Sequence, residues 1–198
     1  MLKKISICLC LLFMIISCSN TNQTQITKIN SIVCFGDSLT NGYGAKEGKS
    51  YPYFLQQLTD IPVINKGVNG HTSQDGLNRI SDILKIKNAL VIVEFGANDF
   101  FQNVPLNKTK KNIKKIIDEL KSAGDSVVLV STEDNKLKNY YDMFKDIAKE
   151  KDILFIDGIL NEIYNNRTLF FDEVHPNASG YKLIAEKIYK NIKHLIKK

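Results

Sequence analysis

The 198-residue chain has only four cysteines and three histidines, and they do not cluster. Cys8, Cys10 and Cys18 fall within the first eighteen residues, which leaves Cys34 alone in the remainder. An intramolecular disulfide is therefore excluded from the body of the chain, even in an oxidising compartment. No Cys/His spacing fits a metal site, and neither a metal nor another cofactor is expected. Cys34 lies in an apolar run and reads as a buried strand residue rather than a reactive thiol. Prolines number four, internal repeats are absent, and only a short polar stretch near the N-terminus looks unable to pack. The longest apolar run, "ISICLCLLFMII" (5–16), is too short to span a bilayer comfortably. No nucleic-acid-binding motif is present, and nucleic acid is not an expected partner.

What is present begins with a processing signal. "MLKK" supplies a positive n-region, the apolar run follows, and a small residue and a cysteine close it at 17–18. "IISC" (15–18) resembles a bacterial lipobox, in which Cys18 becomes the lipidated N-terminus. Residues 1–17 are then a cleaved signal peptide, 18–28 a polar tether and 29–198 the folded domain. The bland alternative is an ordinary signal peptide, or an N-terminal anchor with a chance cysteine. The expected location is the periplasmic or extracellular face of a bacterial membrane. Residues 1–17 hold two of the 27 basic residues and no acidic one, so the net charge falls from +6 to +4 on their removal. Lysines spread along helix faces read as a solvated surface, helped by anionic head groups nearby. A monomer is expected.

Beyond the tether, strand-like and helix-like segments alternate. "INSIVCF" (29–35), "IPVIN" (61–65), "ALVIVEF" (89–95), "SVVLVS" (126–131) and "ILFID" (153–157) read as strands, the third covered on both faces. "YPYFLQQL" (51–58) reads as a helix. Ile113, Ile116, Ile117 and Leu120 recur at helical spacing, as do Ile184, Ile188, Ile192, Leu195 and Ile196. Asn177 can cap the last helix. This alternation predicts right-handed crossovers and an α/β fold with a parallel sheet of about five strands. Chemistry in such sheets lies beyond the carboxyl ends of the strands.

Four strand ends then matter. "GDSLTNG" (36–42) follows the first strand, "KGVNGHTS" (66–73) the second and "GANDFF" (96–101) the third, while "DEVHPN" (172–177) precedes the last helix. Each is bland alone: a turn, a glycine loop, a capping pair, a helix entry. Together they place a hydroxyl, an imidazole, a carboxylate, an amide and a flexible glycine on one rim. Acyl transfer needs that set. A serine hydroxyl requires a base, an imidazole titrates in the useful range, and a carboxylate fixes its tautomer. The tetrahedral intermediate needs donors at its oxyanion, and losing one typically costs ~3–4 kcal/mol. The N–H groups of Ser38 and Gly70 and the Asn98 amide could supply three.

At these residues the chain resembles the SGNH hydrolases, also called the GDSL esterase/lipase family. "GDSLT" (36–40), "NKGVNG" (65–70), "GAND" (96–99) and "DEVH" (172–175) correspond to the four family blocks in order, over a stretch from about Ile29 to the C-terminus. The resemblance implies a three-layer α/β/α, flavodoxin-like architecture. It implies Ser38 as nucleophile, His175 as base and Asp172 as its partner, with Gly70, Asn98 and the Ser38 N–H as the oxyanion hole. "VIVEFGAND" (91–99) and "GHTSQDGLNRI" (70–80) are similar to the bacterial lysophospholipase/thioesterase-type branch, whereas "TEDNKLKNYYD" (132–142) departs from that branch's substrate loop.

Several neighbours carry weaker expectations. His71 has no acid at D-x-x-H spacing and reads as a rim or substrate-contact residue. Tyr43, Phe100, Phe101 and Tyr164 could line an acyl groove, or simply pack. Asp37 reads as a shaper of the turn, Asp99 as a brace for the Asn98 loop, and His194 as solvated. The expected activity is hydrolysis of lipid or small acyl esters through an acyl-enzyme. A carbohydrate O-acetyl esterase is the enzymatic alternative, and a non-catalytic binding lipoprotein is disfavoured by the intact residue set.

Overall fold

A computed structural model describes residues 28–46, 48–132 and 138–196. The signal segment, Cys18 and nearly all of the tether lie outside these residues, as do 133–137 of the departing loop. Five parallel strands form one sheet in the order β2-β1-β3-β4-β5: β1 (Ser31–Gly36), β2 (Val63–Gly67), β3 (Ala89–Glu94), β4 (Ser126–Val130) and β5 (Leu154–Ile156). The order follows from the apolar runs. β1 and β3 are buried at every position and occupy the middle, while β2 and β5 are only partly buried and take the edges.

Eight helices connect and cover the strands among the described residues: α1 (Ser38–Asn41), α2 (Tyr51–Gln56), α3 (Ser73–Asn78), α4 (Ile80–Ile83), α5 (Ala97–Phe101), α6 (Leu106–Ser122), α7 (Lys138–Lys151) and α8 (Ala178–Ile192). Alternate residues of each central strand point to opposite faces. Val33 and Phe35 join Val91, Val93, Ile113, Ile117 and Ile147 in one core, beneath α3, α4, α6 and α7. Ile32 and Cys34 join Leu90, Ile92, Leu55, Tyr181, Ile184 and Ile188 in the other, beneath α2 and α8. The arrangement is the expected three-layer α/β/α. Cys34 is fully buried, and that burial pushes its thiol up to about 12.

The elements differ from the sequence reading mainly at their ends. β2 runs two residues later than expected because its pairing with β1 continues through Phe35↔Lys66 and Gly36↔Gly67. An edge strand tolerates such polar positions, and Pro62, which lacks an N–H, stays just outside it while its carbonyl accepts from Ile32. The chain order reverses between β1 and β3, so a crevice opens where Gly36 and Glu94 end side by side.

Candidate active site

Gly36 ends β1 where no side chain fits. A Cβ there would fall on Thr40 Oγ1 and within 2.6 Å of the Glu94 carbonyl oxygen. The chain then turns through Asp37, whose Oδ1 accepts from the Leu39 N–H at 3.1 Å and caps α1. Ser38 is the first residue of α1, so its N–H has no intrahelical partner. Its Oγ lies 3.0 Å from His175 Nε2, across 137 residues of sequence.

His175 is held from behind. Asp172 Oδ1 accepts the backbone N–H groups of Val174 at 2.8 Å and His175 at 2.7 Å. The same carboxylate lies 2.9 Å (Oδ2) and 3.1 Å (Oδ1) from His175 Nδ1. Burial opposes charge on Asp172, but the two N–H donors and the imidazole outweigh it and hold the carboxyl below its ordinary range. An ionised Asp172 places the ring proton on Nδ1 and leaves the Nε2 lone pair facing the Ser38 hydroxyl. Asn177 then starts α8, accepting from the Ser179 and Gly180 N–H groups at 3.0 and 3.3 Å.

The turn after β2 supplies Gly70 with φ +76, a left-handed conformation that favours glycine. Its N–H has no partner among the described residues, and space for a Cβ is open. The Gly67 N–H, by contrast, is taken by Asn65 Oδ1 at 2.8 Å. Asn41 Nδ2 ties α1 to this turn through Asn69 Oδ1 at 2.9 Å. After β3, the Asn98 amide donates to Asp37 Oδ2 at 3.0 Å and to the His71 carbonyl at 3.1 Å. The next residue, Asp99, is fully buried and accepts from Ser73 N–H (2.7 Å), Ser73 Oγ (2.5 Å) and Thr109 Oγ1 (3.0 Å). That network braces the Asn98 segment against α3 and α6.

A sequence model of the GDSL-like Lipase/Acylhydrolase family matches residues 34–183. The chain belongs to that family. It is 30% identical over 178 residues to an arylesterase of Vibrio mimicus, covering 83% of this chain and 89% of that one. It is 27% identical over 177 residues to thioesterase 1/protease 1/lysophospholipase L1 of Escherichia coli K12, covering 84% and 85%. Among solved structures, the psychrotrophic esterase EstA of a Pseudoalteromonas species, inhibited by monoethylphosphonate, superposes with a TM-score of 0.74. Identity to EstA is 26%, with 83% of this chain and 97% of that chain covered. A G-D-S-L family lipolytic protein of Desulfitobacterium hafniense gives 0.73 at 30% identity, covering 81% and 98%. The protein is a carboxylic ester hydrolase of the SGNH/GDSL type.

In this hydrolase the weaker candidates fall in different places. The Tyr43 ring lies 4.6 Å from the His175 ring and 6.1 Å from Phe171, a residue the sequence reading passed over. A groove of 660 Å³ runs between Tyr43, Ala45, Lys46, Phe171, Ala178 and Ser179. Phe100 and Phe101 pack on each other at 5.6 Å on α5, Phe100 also touching Tyr140, and both stay substantially exposed. Tyr164 packs against Phe170 at 6.3 Å. His194 is exposed. The His71 ring does not face solvent freely: its Nδ1 accepts from Arg79 Nε at 3.2 Å, while its carbonyl holds Asn98. Among the described residues no group of three or more His, Cys, Asp or Glu could hold a metal ion.

Besides Phe171, two residues were missed altogether. Arg79 donates to the carbonyls of Lys66 (2.9 Å) and Gly36 (2.8 Å) and stacks 4.5 Å from the Phe35 ring centroid, joining the ends of β1 and β2. Glu94, visible in the sequence only as one acid in an apolar run, is 1% exposed and meets residues on either side of Ser38. Its Oε2 accepts from Thr40 Oγ1 at 2.9 Å and from the Asp37 N–H at 3.4 Å.

Proposed function

We propose that this esterase works through an acyl-enzyme on Ser38, with His175 as general base and acid and Asp172 as its orienting carboxylate. The observation that carries the reading is the continuous chain from Ser38 Oγ through His175 Nε2 (3.0 Å) and Nδ1 to Asp172 Oδ2 (2.9 Å). Ser38 Oγ attacks the ester carbonyl carbon while its proton passes to His175 Nε2. The carbonyl oxygen takes the negative charge and is met by the Ser38 and Gly70 N–H groups and the Asn98 amide. Collapse breaks the bond to the leaving oxygen, which takes the proton from Nε2. Water then attacks the acyl-enzyme, gives its proton to His175, and releases the acid as that proton returns to Ser38.

The proposed substrates are lipid or small acyl esters. The apolar Tyr43–Phe171 groove beside His175 supports an acyl or aryl group there rather than a sugar. A chain-length panel of p-nitrophenyl esters, with lysophospholipid and acetylated sugars alongside, tests both points. Ser38→Ala is expected to lower kcat by about 10⁴-fold or more. Because the Pseudoalteromonas relative is inhibited by monoethylphosphonate, such a phosphonate is expected to add one adduct, located on Ser38 by peptide mass spectrometry. Full activity in Ser38→Ala sinks the mechanism, and a preference for acetylated sugars over every longer acyl ester assigns the protein to O-deacetylation instead. We further propose that the chain is exported and held on a membrane through a lipidated Cys18.

A further inference from the structure

Behind the nucleophile, two carboxyl groups share one dry space. Asp37 and Glu94 are each 1% exposed, and Glu94 Oε2 lies 3.4 Å from the Asp37 backbone nitrogen, so the two carboxyl groups flank the same turn. Two full negative charges this close in a dry space, with no cation among the described residues in contact with either, are strongly disfavoured, so the pair holds at least one proton. The neighbours decide which residue keeps it. Asp37 accepts two N–H donors, Leu39 on Oδ1 and the Asn98 amide on Oδ2, and feels His175 nearby. Glu94 Oε2 receives only the Thr40 hydroxyl and the Asp37 N–H at the long distance of 3.4 Å.

Apart from His175, no titratable group among the described residues that faces the pair offsets a second charge. From α2, Tyr51 reaches the pair through Thr40 at 3.2 Å; from α8, Tyr181 faces it; burial pushes both phenols up, helped by Cys34 and Glu94 at Tyr51 and by Glu94 and Asp37 at Tyr181. Asp172 adds further negative charge on the His175 side. The guanidinium of Arg79 is committed to the Gly36 and Lys66 carbonyls and to His71. Cys34 lies beneath Tyr51 and is neutral.

We propose that Glu94 is a carboxylic acid in the working enzyme and donates its proton to Asp37. The singly charged pair then acts as the positioning unit that holds the Asn98 amide for the oxyanion. This rests on the roles of Ser38 and Asn98 given above. Neither carboxyl touches substrate; both act through Asn98 and the Ser38 turn. Burial holds Glu94 well above its ordinary value of 4.5 and pushes Asp37 up to about 6. When Asp37 takes the second proton, Asn98 loses its charged acceptor and the amide is no longer fixed. The acid limb of kcat therefore contains a step near pH 6 that belongs to the pair.

The sign for stability is equally definite. An unfolded chain releases the Glu94 proton as pH rises through 4.5, whereas the folded protein keeps it, so this residue costs stability above that pH and nothing below it. Glu94→Gln retains a donor toward Asp37 and an acceptor for Thr40 without that cost.

Infrared spectroscopy on wild type at pH 7.5 is expected to show a protonated-carboxyl C=O stretch that Glu94→Gln lacks. Glu94→Gln is expected to keep kcat within about fivefold at pH 8, whereas Asp37→Asn loses about 10²-fold in kcat with little change in KM, the scale of an impaired oxyanion donor. The Tm advantage of Glu94→Gln should be at least ~3 °C at pH 7 and close below pH 4.5. A wild-type spectrum without a protonated carboxyl at pH 7.5 overturns the proposal, even if no variant folds. So does a Glu94→Gln Tm difference that is independent of pH. If Ser38→Ala is inactive while either result is found, the acyl-enzyme reading stands and the shared proton alone falls.

Discussion

The Asn98 amide has both of its hydrogens spent, one on Asp37 and one on the His71 carbonyl. An incoming oxyanion must share or replace the contact to His71, since the charged Asp37 is the stronger acceptor. The Asp37 contact thus fixes the amide before substrate arrives, and the rearrangement left for the chemical step is the exchange of the His71 carbonyl for the oxyanion. Asn98→Ala should therefore lower kcat by about 10²–10³-fold with KM nearly unchanged, the pattern of an interaction made in the transition state. Steady-state kinetics on one p-nitrophenyl ester checks it; a rise in KM at constant kcat would make Asn98 a binding residue instead. Ser38, Gly70, Asn98, Asp172 and His175 could all be singled out from the chain as candidates because each sits in a short block with a chemical reason for its residue type. Glu94 could not. Its carboxyl acquires meaning only when β3 pairs with β1 and sets it beside Asp37, a contact 57 residues apart in sequence. Phe171 was hidden likewise, since nothing local says that residue 171 meets Tyr43.

The helix after β2 carries a similar lesson about elements. "GHTSQDGLNRI" opens α3 with Thr72 and Asp75 forming a reciprocal capping box. It then breaks into α3 and α4 at Arg79, which adopts φ −109, ψ 12. That departure lets the guanidinium turn back over β1 and β2, where it satisfies two carbonyls at the strand ends and the His71 ring. The clamp positions both sides of the site, because Gly36 precedes the Ser38 turn and His71 holds Asn98. Strand and helix types were legible from period and burial; this break was not, because its cause is a tertiary contact rather than a glycine or proline. Arg79→Lys keeps the charge but offers one point where three acceptors need a fork. Leaving buried carbonyls short of donors costs about 1–3 kcal/mol, or roughly 2–9 °C in Tm for a domain of this size. Thermal denaturation of the variant should show that loss together with a lower kcat. A Tm unchanged within error would mean that water or main chain replaces the clamp without cost.

The parallel sheet gives the molecule two unlike ends. The chain enters at the amino edge, where Ser31 begins β1, and Ser38 stands at the carboxyl edge, one strand length away. Cys18 is joined to the amino edge by residues 19–30, whose fully extended length is at most about 40 Å. A domain of about 170 residues is itself roughly 40 Å across, taking its radius of gyration as about 15 Å. An anchor at Cys18 therefore leaves the Tyr43–Phe171 groove turned away from the anchoring bilayer unless the tether is stretched to its limit along the domain's flank. Stretching so many residues costs conformational entropy that nothing among the described residues offsets. On the proposed anchor, the esterase would be best placed to meet substrates arriving from the space beyond the membrane. Cys18→Ala should move the protein from the membrane to the soluble fraction on cell fractionation, with kcat/KM on a soluble ester unchanged. On vesicles that hold both the anchored enzyme and a lysophospholipid, the lipidated form should hydrolyse no faster than Cys18→Ala added from solution. Retention of Cys18→Ala on the membrane would remove the lipid anchor. A large rate advantage for the anchored form would show the catalytic mouth facing its own bilayer.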